Sequence, residues 1–324
     1  MELPRRHFLH LAGGAAAAAA FSNLAAALDY PNRPVRFVVA FFAGSLSDIL
    51  ARSIAPSLSK RLGQEVIVDD QPGAGGNPAT DIVVRASSDG YTLLEATSAN
   101  VWNAALYDTL NFDFIRDIAP VASISRTPAV LTVTPSFPAE TVPEFISYAR
   151  ANPGKINMAS GGIGSLPHVA GELFKFMTGI NLVHVPYRGS YLPDLLGGQV
   201  QIAFGPIPTL IEQIRAGKLR ALAVTGADTS EALPDLPTLG QFVPGYEASA
   251  FNGVGAPEKM PTEIIYKLNA AVNAVLVEDS EVQKRCAQLG IVPVSMTPGE
   301  FGKLIVDESD KWGKVFKAAG IKAE

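Results

Sequence analysis

Short apolar runs alternate with amphipathic segments along most of the chain, beginning near residue 34. The run "RPVRFVVAF" is typical of a buried strand, "DILARSIAPSLSKRL" has the spacing of an amphipathic helix that ends at Gly63, and "EVIVDD" is the next strand. Further along, "NPATDIVVRA" predicts a helix and "YTLLEAT" a strand, with turns at "QPGAGG" and "SDG". Strands that alternate with helices in this way indicate βαβ units around a parallel sheet.

The same alternation starts again near residue 127. Strands are predicted at "TPAVLTVTP", "INMAS", "LVHVPY", "VQIAFG" and "LRALAVTG". The helices between them include "TVPEFISYARANPG", which has a Thr cap and a Gly stop, and "LPHVAGELFKFMTG", which follows a Gly-rich loop. A last strand, "SAFNGVGAP", is followed by helices predicted over Thr262–Val277, Ser280–Leu289 and Pro298–Ala319.

This order predicts an α/β protein with two lobes, because the second set of strands and helices is long enough to form a lobe of its own. We expect lobe one to comprise residues 28–124 and 250–324, and lobe two residues 125–249. The chain then crosses between the lobes twice, near "VASISR" and near "YEASAFNG". These two crossing segments are expected to form a hinge.

The first 27 residues have the pattern of an export signal. "RRHFLHLAGGAAAAAAFSNLAAA" has a basic start, a long run of Ala and Gly, and small residues before Leu28, where we expect cleavage. The pair Arg5-Arg6 followed by Phe8-Leu9 resembles a twin-arginine signal, and the general secretory route is the alternative. An uncleaved transmembrane helix is a further alternative that the Ala-rich run disfavours. The mature protein is therefore expected in the periplasm.

Composition narrows the function classes. Of the 324 residues, 48% are hydrophobic, which is sufficient for a substantial core. The formal net charge is −5 and no cluster of basic residues occurs, so nucleic acids and anionic membranes are poor partners. The one cysteine, Cys286, excludes an intrachain disulfide.

Two strand–loop–helix segments carry the candidate chemistry. An apolar strand ends in "AGSLSD" in the first lobe and in "SGGIGSLPH" in the second, and each of these bends opens a helix. The first turn of a helix has unpaired amides and a positive dipole end, so it attracts carboxylates or phosphates. Ordinary caps and turns are the simpler explanation for either loop alone. Two such loops in facing lobes favour an anion site.

Catalytic and cofactor motifs are weaker. The segment from Ser57 to Lys60 matches S-x-x-K, but it lies late in a predicted helix and no K-T-G follows. "PGAGGNP" resembles half of a dinucleotide fingerprint, with Pro78 at the position of the last glycine. After the signal, the only histidines are His168 and His184, and neither has a neighbour at metal-ligand spacing. We therefore expect no metal, cofactor or catalytic residue.

The chain resembles the solute-binding receptors of tripartite tricarboxylate transporters, the Bug-type receptors, from about Tyr30 to Ile321. The segments that carry the resemblance, in this order, are "YPNRPVRFVVAFFAGSLSDILAR", "QPGAGG", "DGYTLL", "NPGKINMASGGIGSLPHVAGELFK", "VHVPYRG", "DLLGGQV", "GKLRALAVTG" and "LPDLPTL". The resemblance implies a two-lobed type II periplasmic binding protein fold, with a small organic acid held in the cleft by the first loop of each lobe.

Carried over by position, the resemblance gives a set of expected ligand-binding residues: Phe41, Phe42, Gly44, Ser45, Ser47, Asp48, Ser98, Asn100, Ser160, Gly162, Gly164, Ser165, His168 and Tyr187. The sequence departs from the family at this site. "AFFAGS" replaces a motif that is usually richer in Pro and Gly, Ala79 stands where Gly is common, and Tyr191 is additional. The aromatic residues favour a longer aliphatic or aromatic dicarboxylate over a small hydroxy acid.

The sequence thus predicts a periplasmic receptor that captures a mono- or dicarboxylate and presents it to the membrane components of a tripartite tricarboxylate-type transporter. We expect it to act as a monomer. Two alternatives stay open at this point. One is an exported serine hydrolase that uses Ser165 or Ser57 with His168 as its base, and the other is a ligand sensor that acts on a signalling partner.

Overall fold

The computed structural model of the chain describes residues 29–107 and 109–322. The predicted export signal lies outside this range. The part that follows it is a mixed α/β structure with ten strands and eleven α-helices among the described residues. None of the helices in this part is long and apolar enough to cross a membrane.

The first half of the described chain builds the elements of one sheet and then enters the second. In order they are β1 (Val35–Val39), α1 (Leu46–Leu62), β2 (Val66–Asp70), α2 (Asn77–Val84), β3 (Thr92–Thr97), α3 (Ser98–Leu106), α4 (Phe114–Asp117), β4 (Ile118–Val133), α5 (Val142–Ala151) and β5 (Asn157–Ser160). The predicted αβ alternation is therefore observed.

The second half completes both lobes. Its elements are α6 (Leu166–Thr178), β6 (Val183–Pro186), α7 (Leu192–Leu196), β7 (Ile202–Pro206), α8 (Ile207–Arg215), β8 (Arg220–Val224), β9 (Ser249–Pro257), α9 (Thr262–Glu278), α10 (Ser280–Leu289), β10 (Val292–Pro293) and α11 (Pro298–Ala319).

The strands follow the order β2-β1-β3-β9-β4-β7-β5-β6, with β8 and β10 paired to β4. The outer pairs, β1 with β2 and β3 and β5 with β6 and β7, are parallel, whereas β9 and β4 are antiparallel to their neighbours. The sixteen-residue β4 pairs with β9 along its first part and with β7 and β8 along its last part. The two-lobed type II fold is thus confirmed, and β4 connects the lobes.

The apolar core is divided in the same way. Side chains of α1, β1 and α9 form one cluster, with Leu50, Ile54 and Leu268 at its centre. A second cluster in the other lobe includes Phe145, Phe174 and many residues of β4, β7 and α6. Each lobe therefore buries apolar area of its own, which is the main source of its stability.

The C-terminal helix α11 does not belong to one lobe. Phe301 and Ile305, near its start, pack with side chains of the first lobe. Trp312 and Phe316, further along, pack in a cluster that joins Trp102 of α3 in the first lobe to side chains of the second lobe. The expected assignment of residues 250–324 to lobe one therefore stays a prediction, and the second part of α11 contacts both lobes. An amphipathic pattern shows which face of a helix is buried but not which neighbour buries it, so the sequence did not reveal this connection.

Candidate functional site

A cavity of about 110 Å³ lies between the two lobes. Five helices begin at its wall, namely α1, α3, α6, α7 and α8. The residues that line it are Phe41, Phe42, Gly44, Ser45, Leu46, Ser47, Thr97, Ala99, Trp102, Gly161, Ser165, Leu166, Pro167, Ser190, Tyr191, Leu192, Pro206, Thr209, Leu210, Ala250 and Asn252. Helix starts from both lobes thus converge on one small space.

The loop between β1 and α1 is held by its own side chains. Gly44 has φ of 85°, a left-handed conformation that favours glycine, and its amide donates to Asp48 Oδ2 at 2.7 Å. Ser45 caps α1, since its hydroxyl accepts from the Asp48 amide at 3.3 Å. Asp48 also pairs with Arg52, which reaches Asp70 Oδ2 at 2.8 Å. The carboxylate of Asp48 therefore organises the loop and does not line the cavity.

The loop before α6 leaves its helix uncapped. The Ser165 hydroxyl, at the N-cap position, donates to the Gly162 carbonyl at 2.6 Å and accepts nothing from the first turn. Pro167 has no amide to leave unpaired. Over the described part of the chain, the amides of Leu166 and His168 have no acceptor. A helix start of this kind is suited to hold an anion.

His168 and His184 form a stacked pair behind this loop. Their ring centroids are 4.4 Å apart, and His168 Nδ1 accepts from the Gly164 amide at 3.3 Å. Ser160 Oγ lies 2.6 Å from His184 Nε2. Burial, with additional repulsion from His184 and Lys175, lowers the pKa of His168 to about 3. Burial together with Lys175 lowers the pKa of His184 to about 4.

The start of α3 is capped by side chains of the first lobe. The Thr97 hydroxyl accepts from the Ala99 amide at 2.9 Å, and the Asn100 side chain accepts from the Thr97 amide at 2.7 Å. Asn100 Nδ2 donates in turn to Thr80 Oγ1 at 2.8 Å. The Ser98 hydroxyl accepts from the Phe251 amide at 2.8 Å. Asn100 and Ser98 therefore fix this corner of the first lobe and do not line the cavity.

The wall contributed by α7 and α8 includes a hydroxyl without a partner. Tyr191 is 5% exposed and lines the cavity, and within the described residues its hydroxyl has no hydrogen-bond partner. Thr209, beside it, donates to the Pro206 carbonyl at 2.8 Å. The Tyr187 hydroxyl donates to Asp194 Oδ2 at 2.6 Å. Burial, with a smaller effect of Asp194, raises the pKa of Tyr187 to about 12.

The expected ligand-binding residues divide into two groups. Six line the cavity: Phe41, Phe42, Gly44, Ser45, Ser47 and Ser165. Eight do not line it, because they support the loops and helix starts behind it: Asp48, Ser98, Asn100, Ser160, Gly162, Gly164, His168 and Tyr187. The amides of Gly162 and Gly164 are occupied within the loop, by Ser160 Oγ at 3.1 Å and by His168.

Sequence reasoning missed several wall residues, among them Trp102, Thr209 and Asn252. They lie on three separate elements, and no local motif distinguishes them from packing residues. The cavity is uncharged as far as the described residues go, because no Asp, Glu, Lys, Arg or His lines it. Its central wall is aromatic and aliphatic, with polar groups of Ser47 and Asn252 in the first lobe and of Tyr191 and Thr209 in the second.

The residues required for a serine hydrolase are not brought together. The Ser165 hydroxyl donates to the Gly162 carbonyl, and His168 Nδ1 accepts a hydrogen bond from the Gly164 amide. Ser165 and His168 therefore do not form a nucleophile–base pair. The Ser57 hydroxyl donates to Asp279 Oδ2 at 2.5 Å, far along the chain from either histidine. The Ser160–His184 pair is geometrically closer to such a dyad, but Ser160 is 0% exposed and does not line the cavity. Within the described range, no group of three His, Cys, Asp or Glu residues is placed to hold a metal ion.

Comparison with known proteins gives one consistent group. The family described as "Tripartite tricarboxylate transporter family receptor" matches residues 50–321. Protein BugT of Bordetella pertussis is 35% identical over 298 residues, which cover 90% of this chain and 91% of BugT.

Solved structures agree with this result. The structure described as R. palustris Rpa4515 with adipate has 38% sequence identity and a TM-score of 0.87, and the match covers 91% of this chain and 99% of that one. Periplasmic binding protein BugD has 32% identity and a TM-score of 0.87, over 91% of this chain and 100% of BugD. MatC from Rhodopseudomonas palustris with bound malate has 31% identity and a TM-score of 0.84, over 88% of this chain and 99% of MatC.

Proposed function

This chain belongs to the tripartite tricarboxylate transporter receptor family, and we propose that it captures a small organic carboxylate in the cavity between its lobes. We propose further that it delivers this ligand to the membrane components of such a transporter. The family consists of solute-binding receptors, and its members bind carboxylates.

The convergence of helix starts on an uncharged cavity is the observation that carries this proposal. The amides of Leu46 and Ser47 in α1 and of Leu166 in α6, three residues that line the cavity, have no acceptor among the described residues. A carboxylate accepts such hydrogen bonds, and each bond to a charged group contributes roughly 1.5–3 kcal/mol. Several of them are sufficient for tight binding without an arginine. Desolvation in the closed cleft strengthens them further.

The cavity wall favours a dicarboxylate with an aliphatic spacer. Phe41, Phe42, Trp102 and Leu210 supply an apolar centre, which suits methylene groups. Polar groups lie on the walls of both lobes, so an anionic group at each end of a ligand finds donors. The adipate and malate bound by the related proteins Rpa4515 and MatC are both dicarboxylates.

Periplasmic location is part of the proposal. Receptors of this family are periplasmic. We propose that residues 1–27 direct export and are removed before Leu28, and that the protein is a monomer whose lobes close on the ligand. Closure about the β4 and β9 segments requires few dihedral changes.

A ligand screen tests the proposal. Purified protein is melted in the presence of adipate, malate, citrate, benzoate and the neutral control adipamide, and each stabilising compound is then titrated by calorimetry. A compound that binds only the folded state raises the melting temperature, so we expect a shift with at least one dicarboxylate and none with adipamide. A protein that binds no carboxylate would contradict the proposal.

Transport is tested separately from binding. Deletion of the gene should abolish uptake of the bound acid, and the gene without residues 1–27 should not restore it. Loss of a transcriptional response with normal uptake would instead support the sensor.

A further inference from the structure

A buried acid, Glu95 of β3, lies behind the cavity wall. Its side chain is 0% exposed, and its Oε1 accepts from Asn252 Nδ2 at 2.7 Å. Ser47 lies beside this carboxyl group and lowers the pKa of Glu95. Ser47 and Asn252 both line the cavity. One buried carboxyl group therefore lies behind two polar residues of the cavity wall, and it holds the side chain of one of them, Asn252.

The hydrogen bonding around Glu95 lacks a donor. Within the described residues, Glu95 Oε2 and Asn252 Oδ1 have no partner, although both atoms are buried. Both are acceptors when the acid is ionised, so neither can satisfy the other. A proton on Oε2 supplies the missing donor, because a carboxylic acid and a primary amide can form two bonds side by side. Buried acceptors without donors are costly, so this arrangement favours the neutral acid.

No charge compensates an ionised Glu95. The ionisable side chains on the elements packed against β3 are Arg36 on β1, Asp48, Arg52, Lys60 and Arg61 on α1, and Asp81 on α2; β9 and α3 carry none. Most of them are paired elsewhere, Arg36 with Asp69 and Asp81 with Arg85 among them. The influences on the pKa of Glu95 are burial, Asn252 and Ser47, with no charged group among them.

We propose that Glu95 is a positioning residue held as a neutral acid, which orients the Asn252 amide towards the ligand, and that its ionisation opposes binding of the anion. This inference rests on the proposed function, since it concerns the same cavity. One Asn252 N–H is held by Glu95 and the other is left for a ligand oxygen. A negative charge at Glu95 would lie directly behind the Asn252 amide, which faces the ligand space.

The expected pH range follows from burial. Burial outweighs the effects of Asn252 and Ser47 and raises the pKa of Glu95 to about 8. Ligand binding keeps the proton on, so affinity is constant below that pH and falls above it. When the bound protein keeps this proton over the whole range, affinity falls roughly tenfold between pH 7 and pH 9. The pKa values of about 3 and 4 leave His168 and His184 neutral throughout this range.

Calorimetry with adipate as the probe tests the coupling. Wild-type protein is titrated from pH 6 to 9.5, and at pH 8 in two buffers of different ionisation heat. We expect about tenfold weaker binding at pH 9 and net proton uptake at pH 8. In Glu95→Gln, the new amide can form the same two hydrogen bonds with Asn252 but cannot ionise. Its affinity for adipate should therefore not depend on pH. The exposed Glu263→Gln serves as the control and should retain the wild-type profile.

The outcomes separate this inference from the proposed function. Tight adipate binding that is independent of pH, without proton uptake, overturns the role of Glu95 and leaves the receptor proposal intact. If Glu95→Gln does not fold, the proton uptake of the wild-type protein still decides. Failure of every dicarboxylate to bind at any pH overturns both. A neutral Glu95 also makes the free energy of unfolding fall as pH rises from 5 to 8. If no dicarboxylate binds, that fall would show only that the acid is buried and protonated.

Discussion

Gly164 and Asn103 are in contact across the cleft. Gly164 lies in the loop before α6 of the second lobe and Asn103 in α3 of the first, and a Cβ added to Gly164 would overlap Asn103 Oδ1. Asn103 itself is fixed, because its Nδ2 donates to Gly75 O and to Asn77 Oδ1, both at 2.8 Å. The glycine therefore permits the close approach of the two lobes, in addition to accommodating φ of 80°.

Gly164→Ala should consequently weaken ligand binding by at least tenfold, because the new methyl group keeps the lobes apart. Gly179→Ala is the matched control: Gly179 has φ of 69° and nothing within 4 Å of its Cβ position. Both variants carry a conformational cost of about 1–2 kcal/mol, so their folding stabilities should fall alike. Calorimetric titration should show reduced affinity in Gly164→Ala only, and partial recovery in Gly164→Ala/Asn103→Ala. Equal affinities in the two single variants would show that this contact does not limit closure.

The Tyr191 hydroxyl should bind ligand and contribute nothing to the free protein. It is buried without a partner, so Tyr191→Phe should leave the free energy of unfolding unchanged or slightly raise it. The same change should weaken ligand binding by about 1 kcal/mol, the value of one hydrogen bond. Tyr246→Phe provides the converse control, since the Tyr246 hydroxyl donates to Ala170 O at 2.9 Å away from the cavity. Tyr246→Phe should lower the free energy of unfolding and leave ligand affinity unchanged. If Tyr191→Phe binds ligand with full affinity, the Tyr191 hydroxyl does not contact the ligand.

The sequence predicted the local elements of this protein well. The helices expected at Ser280–Leu289 and Pro298–Ala319 are observed with the same bounds, because caps and apolar spacing are local signals. The strand expected at "TPAVLTVTP" is instead the last part of β4, which starts at Ile118. A strand that connects two sheets has no local signal at the crossing point.

The cavity wall was predicted only where it coincides with a loop motif. Gly44, Ser45 and Ser165 lie in such motifs and line the cavity. Asn252 and Thr209 reach the same space from β9 and α8, and their convergence depends on how the lobes pack. Tyr187 and His168 were expected at the site, but their side chains bond to other groups of the protein, because a polar residue near a motif can serve the fold itself.

Asp48 should be important for stability, since it connects the Gly44 amide to Arg52. Asp48→Asn removes the charge from both interactions, and we expect the free energy of unfolding to fall by about 1–3 kcal/mol. Asp81→Asn is the control, because the Asp81–Arg85 pair is an exposed i,i+4 pair whose loss costs about 0.5 kcal/mol or less. Urea unfolding of both variants measures the difference. If Asp48→Asn is as stable as Asp81→Asn, the loop is held by other contacts.

His168 should make the protein sensitive to acid. Its pKa is about 3 in the folded state, mainly because it is buried, whereas a histidine in the unfolded chain titrates near 6.5. Between these values the unfolded chain binds the proton and the folded protein does not, so the stability due to neutral His168 is complete above pH 6.5 and is lost as pH falls. The loss is about 1.4 kcal/mol per pH unit.

His168→Asn can still accept from the Gly164 amide but cannot be protonated near neutrality. Urea unfolding at pH 6.5 and 4.5 should therefore show a loss in the wild-type protein that exceeds the loss in the variant by roughly 2–3 kcal/mol. Parallel losses in the two proteins would mean that His168 is protonated in the folded state, which the short stacking distance to His184 argues against.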